Sequence, residues 1–146
     1  MTKAKRWLSR AINIDAEISE IETQIGKELE KRKAALDALT KTTPSYNGMP
    51  SSGGDVHKFD RLAELESAVD RLVDELVDEK ERLAKTKEEI SRAIDMVADG
   101  RRRRVLRMLY INGFTMGQVA ARIGRSYKQC CRIHGAALEE MEDIIE

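Results

Sequence analysis

The sequence predicts an all-α protein: a long antiparallel coiled-coil helical hairpin followed by a small C-terminal helix-turn-helix domain. Three observations predict it. Apolar residues recur at spacings of three and four over two long stretches, the rhythm of a buried helical stripe. Charged residues make up 36% of the 146 and aromatic residues only 4%. That composition suits long, solvated helices and argues against a β-sandwich or a large enzyme core. Between the two stretches lies a segment rich in turn residues that holds both prolines, Pro44 and Pro50.

The first long helix is expected over residues 3–40. Trp7, Ala11, Ile14, Ile18, Ile21 and Ile25 alternate at four and three, a heptad seam. Thr2 is a suitable cap for its start. Glu28 and Arg32 take the next seam positions while Leu29 and Leu36 fall one residue later, as in a stutter or a seam that rotates toward another helix. A loop is expected over residues 41–58, where Asn47-Gly48 and Gly53-Gly54 join the prolines. The second long helix is expected over residues 59–98, with Leu62, Leu65, Val69, Leu72, Leu76, Leu83, Ile90, Ala93 and Val97 on its seam and Glu79 and Thr86 interrupting it. Asp99-Gly100 reads as its stop, with glycine suited to a left-handed position after a helix. Residues 1–99 thus form one unit, a hairpin for oligomerisation, and residues 100–146 the second. A lone pair of helices leaves Leu8, Ile12, Val73, Val77 and Ile94 as an apolar flank. A second copy completing a four-helix bundle would cover it, and a homodimer is the favoured oligomer. The plainer reading is a monomer whose C-terminal domain covers that flank.

The formal net charge is zero, which taken whole speaks against a nucleic-acid partner. By segment it does not. Residues 1–100 carry 17 basic and 21 acidic side chains, a net of −4. Residues 101–138 carry nine basic and no acidic ones, +9, and residues 139–146 carry five acids and no base, −5.

In that basic block the helices become short: 101–112, 115–123 and 126–138 or beyond, with Gly113 and Gly124-Arg125 between them. Thr115 caps a helix whose Met116, Val119, Ala120 and Ile123 face inward. Gly124 supplies a left-handed turn, and Ser126 caps the next helix. On that helix Cys130, Ile133, Ala137 and Leu138 share one face, while Tyr127, Lys128, Gln129 and Arg132 share the other. The second face has what a major-groove reader needs: an amide for adenine, cations for guanine or phosphate, and an aromatic ring. Arg101, Arg102, Arg103, Arg104, Arg107, Arg122, Arg125 and Ser126 are placed to hold phosphates. The plainer alternative is a three-helix packing unit with a solvated basic face.

Residues Val105–Tyr110, Phe114–Gly124 and Ser126 through Ala137-Leu138 resemble region four of bacterial sigma factors, the part that reads the −35 promoter element. The match holds at Ser126, Ile133, Ala137 and Leu138 and departs at Cys130, where a β-branched residue is usual. The resemblance implies base contacts from Tyr127, Lys128, Gln129 and Arg132. The Gly48-Met49-Pro50-Ser51-Ser52-Gly53 segment between two coiled helices, followed by this module, resembles a family of small phage and prophage proteins. That family is related to late-gene transcription activators of phages of Gram-positive bacteria. What the resemblance implies is a sequence-specific, DNA-binding transcription regulator of phage origin in the bacterial host cytoplasm, with double-stranded DNA as partner and RNA polymerase as a candidate partner. No segment looks like the core-polymerase clamp or promoter-melting regions of a sigma factor, so a complete initiation factor is not expected. Two other readings use the same parts: a small-terminase-like packaging or replication accessory protein, and a protein-interaction module or phage inhibitor of a host system.

Other chemistry is poorly represented. Cys130 and His134 lie four apart with Cys131 adjacent, but a closed zinc site wants four ligands at stereotyped spacing, and only His57 remains. Two adjacent cysteines suit a reduced, cytoplasmic protein. The carboxylates of residues 60–95 interleave with Lys and Arg as solvated faces. There is no phosphate loop, nucleophile elbow or metal-hydrolase motif, so no enzymatic activity, metal or cofactor is expected. No apolar run reaches the roughly 20 residues of a membrane helix, and the basic N-terminus lacks the apolar stretch of a secretory signal. The acidic tail, with Leu138, Met141 and Ile145 in helical register, has three candidate roles: docking on the hairpin, shielding the basic block, or contacting polymerase.

Overall fold

Every regular element is a helix in the computed structural model, which describes residues 2–40 and 52–145, with side chains described for 2–39 and 58–145. α1 spans Lys3–Leu8, α2 Arg10–Thr40, α3 Ser52–Asp95 and α4 Gly100–Leu106. α4 continues as a π-helical segment, Arg107–Ile111, and is followed by α5, Met116–Ile123, and α6, Tyr127–Ile144. None of the described helices is long and apolar enough to cross a membrane.

Four expected boundaries move. The single helix expected over 3–40 is interrupted at Ser9, where ψ opens to −7° and the hydroxyl donates to the Lys5 carbonyl at 2.7 Å beside the backbone N–H at 2.9 Å, a back-bond that bends helices. Residues 52–58, expected in the loop, belong to α3. A glycine costs a helix only about 1 kcal/mol against alanine, and a helix of 44 residues absorbs two of them. Residues 41–51, with the rest of that loop, lie outside the described residues. At its other end α3 stops at Asp95 rather than 98, as Met96 and Val97 N–H turn back to Ala93 and Ile94 carbonyls. Asp99-Gly100 is then not a stop with a left-handed glycine. Asp99 is the N-cap of α4, its carboxylate accepting from Arg101 N–H at 2.8 Å, and Gly100 is the first helical residue. Directly after this turn, α4 buries Val105 and Leu106 completely.

Contacts group the chain into two compact units. One joins residues up to Ala16 with those from Lys80 onward, and the other is Glu17–Glu79. In the second, α2 and α3 run side by side and antiparallel: Gln24 and Glu28 border Ala68, Leu72 and Glu75, while Ala34 and Ala38 border Lys58 and Arg61. Seam residues Ile18, Ile21 and Leu65 are buried, whereas Ile25, Leu62, Val69, Leu72 and Leu76 are only half-buried. Two helices have no third layer to close over a seam. The polar seam positions find partners: Arg32 pairs with Glu66 at 3.2 Å, and Glu28 with Lys31 at 3.3 Å.

The first unit has the deeper core. Ala4, Leu8 and Ala11 meet Ile90, Ile94 and Val97 of the α3 end, Leu106 and Tyr110, and Ala137 and Met141 of α6. Trp7 packs against this cluster with the Arg10 guanidinium 4.5 Å over its ring, and Ile14 is buried nearby. Leu8 and Ile94, expected on an exposed flank, are fully covered by the C-terminal helices, while Ile12, Val73 and Val77 stay exposed.

Candidate nucleic-acid interface

The α5–α6 pair is built from short-range signals. Thr115 Oγ1 accepts from Gln118 N–H and Gln118 returns its amide oxygen to Thr115 N–H, so both donors at the α5 start are satisfied. α5 ends at Gly124, whose φ of 67° is left-handed and comfortable only for glycine. Ser126 and Gln129 repeat the reciprocal cap at the start of α6, at 3.2 and 3.1 Å. Val119 and Cys130 are fully buried and Ala120 nearly so. This small face lets the two helices approach closely. Upstream, the π-helical segment closes with Asn112 N–H on the Arg107 carbonyl, and left-handed Gly113 turns the chain into Phe114.

The outer face of the α6 start is open. Tyr127 is 62% exposed, and Lys128, Gln129, Cys131 and Arg132 are exposed with it. Gln129, expected to read adenine, spends its carbonyl oxygen on Ser126 N–H, and Ser126 Oγ, expected on a phosphate, caps its own helix. Arg104 and Arg125 are exposed without a side-chain partner among the described residues, and Arg101 is exposed with its charge acting on the Asp99 carboxylate. Arg122 lies with its guanidinium 4.2 Å over the Phe114 ring, which fixes its plane while leaving N–H groups free.

Three arginines expected on phosphates are committed inside the molecule. Arg102 pairs with Glu140 at 3.0 Å. Arg103 donates to the Val97 and Ala98 carbonyls at 2.6 and 2.9 Å, closing the end of α3. Arg107 pairs with Asp95. Glu140 lies 38 residues from Arg102, while the carbonyls held by Arg103 are only five and six residues away but become available only because the chain turns at the end of α3. Phe114 was likewise invisible in the sequence as a partner of Arg122.

The acidic tail is the C-terminal part of α6, and it docks. Met141 is fully buried. Glu142 accepts from Ala4 N–H at 2.8 Å, and Glu140 accepts from Ala98 N–H at 2.9 Å besides holding Arg102. That amide bond first, then the Arg102 hydrogen bond, holds the Glu140 carboxyl below its usual range. His134 is half-buried, with its Nε2 2.7 Å from the Tyr110 hydroxyl. Burial, and then the Lys5 charge, lower its pKa below the ordinary 6.5. Burial pushes the Tyr110 phenol up to about 12. Both groups are therefore neutral at pH 7, and the phenol can donate to the ring nitrogen.

No curated protein and no solved structure matches the chain. A sequence family does, over residues 40–142. The match starts at the last residue of α2 and covers α3, α4, α5 and most of α6. It spans more than half of the chain, so the protein belongs to the family described as Protein of unknown function (DUF1492).

Proposed function

We propose that this protein is a sequence-specific double-stranded-DNA-binding transcription regulator of phage or prophage origin, with α5 and α6 as a helix-turn-helix and the first turns of α6 in the major groove. The observation that carries the reading is the α6 start. It is held by a reciprocal cap and a buried inner face, yet presents Tyr127, Lys128 and Arg132 outward with no partner among the described residues. A preorganised helix start with uncommitted cations is what base-edge recognition requires. Arg101, Arg104, Arg122 and Arg125 supply phosphate contacts in this reading, and Gln129 acts chiefly through the cap. The resemblance to sigma region four favours the same helix.

DNA affinity measured against salt tests it. With four to six phosphate contacts, a log–log slope of about −4 to −5 is expected, and selection from a random duplex pool should return a defined site. Absence of affinity for any duplex at low salt overturns the reading. Ring-shaped higher oligomers would favour the packaging alternative.

A further inference from the structure

The first helix of the chain is seated on the helix assigned to the groove. Tyr127, Cys131, His134, Leu138 and Met141 form one stripe of α6 at alternating spacings of four and three. The stripe starts exposed at Tyr127 and Cys131, is half-buried at His134 and Leu138, and is fully buried at Met141. α1 is what covers it. Ala4 and Leu8 lie in one buried cluster with Ala137 and Met141, and Leu138 packs against that cluster. Ala4 N–H donates to Glu142 Oε1 at 2.8 Å, and the Lys5 charge acts on the His134 ring. Both helices belong to the same compact unit. With Ala4 and Leu8 turned inward, Arg6 falls on the opposite side of α1 and Lys5 on the flank near His134. Both are exposed, and neither forms an ion pair among the described residues. Averaged over residues 1–100 the net charge is −4, which hides these two cations. Contact with α6 joins them to the basic block.

We propose that Lys5 and Arg6 hold the phosphate strand that borders the groove entered by α6, so that α1 is a third element of the DNA interface. This rests on the reading of α6 as the groove-bound helix and adds the backbone contact at its far side. Charge along α6 sets where that strand passes. Lys128, Arg132, Gly135 and Glu139 form the neighbouring exposed stripe, and its cations give way to a carboxylate at Glu139. The surface of α6 itself therefore suits a phosphate strand no further along than Gly135, which is the level of His134 and Lys5. Distance selects the same level. From Tyr127 to His134 the helix rises about 10 Å at 1.5 Å per residue, close to the roughly 12 Å width of the major groove. Arg125, directly before α6, serves the near lip of the groove, and Lys5 and Arg6 serve the far one.

Salt dependence of duplex binding by the full chain tests the proposal. Lys5→Gln combined with Arg6→Gln removes both charges, and glutamine matches lysine and arginine in helix propensity, so the melting temperature is retained. The expected log–log slope is shallower by about two, and affinity at low salt falls about tenfold or more. Selected and random duplexes lose alike, because phosphates carry no sequence information. Lys27→Gln combined with Lys33→Gln removes the same charge from exposed positions of α2 and leaves slope and affinity unchanged. Lysine acetylation of the wild-type chain, read by mass spectrometry, gives a second measurement: bound duplex protects Lys5 and leaves Lys27 reactive. The proposal is overturned, with the α6 reading left standing, if the wild type binds duplex and the α1 variant keeps its slope. An equal loss from the α2 variant, or Lys5 equally reactive with and without duplex, does the same. A wild type that binds no duplex at low salt overturns both.

Discussion

Arginines that look alike in the sequence do different work. Arg103 and Arg104 are neighbours in one run of four, yet Arg103 closes the end of α3 through the Val97 and Ala98 carbonyls while Arg104 is exposed. Arg103→Ala is therefore expected to lower the melting temperature and Arg104→Ala to leave it unchanged; under the proposed DNA-binding function, Arg104→Ala weakens specific and random duplex alike. Arg132→Ala should cost about 1–3 kcal/mol at a selected site and little on random duplex. Equal losses on both would show that Arg132 reads no base. His134 makes a prediction of another kind. Its pKa is lowered in the fold, so below about pH 6.5 the unfolded chain binds a proton that the folded chain refuses. The stability from neutral His134 is complete above that pH and falls as pH drops through the window beneath it. Thermal melts at about pH 7.5 and 5.5 should show the drop, and His134→Gln should flatten it. Glu140, whose pKa is lowered from 4.5, loses its contribution only at lower pH, so the two effects separate.

At the scale of elements, local signals placed the starts and turns well. Thr115, Gly124 and Ser126 occupy the roles their chemistry suggests, because caps and left-handed turns involve residues no more than four apart. Gly124→Val is expected to destabilise the protein by more than about 1 kcal/mol, since a β-branched residue is strained at φ 67°. A denaturation midpoint equal to wild type would refute that. Ends were read less well. Gly53 and Gly54 do not stop α3, and Asp99 starts a helix rather than ending one. Whether a glycine breaks a helix depends on what the rest of the helix gains by packing, which composition does not carry.

For the molecule as a whole, the residues after Gly100 share one core with α1 and the end of α3. Met141, fully buried among Ala4, Leu8 and Ile94, should cost about 2–5 kcal/mol when truncated to alanine, although it lies in an acidic tail. A fragment of residues 100–146 would lack Leu8, Ile90, Ile94 and Val97 and is expected to be largely unfolded by circular dichroism. A cooperatively melting fragment would contradict the shared core. Covering Leu8 and Ile94 within one chain leaves only Ile12, Val73 and Val77 of the expected flank exposed.

The sequence by itself determined the helical class, the seam of the long helices, the capped α5–α6 pair and the concentration of positive charge in residues 101–138. These follow from propensity, periodicity and capping, which act over a few residues. Only the tertiary structure decided which of those charges are free. Arg102, Arg103 and Arg107 are committed to Glu140, to the Val97 and Ala98 carbonyls and to Asp95. It also turned the acidic tail into part of a core. The Arg102–Glu140 pair and the burial of Met141 depend on which distant segments meet, and the Arg103 contacts on how the chain turns after α3; no local pattern of residues encodes either.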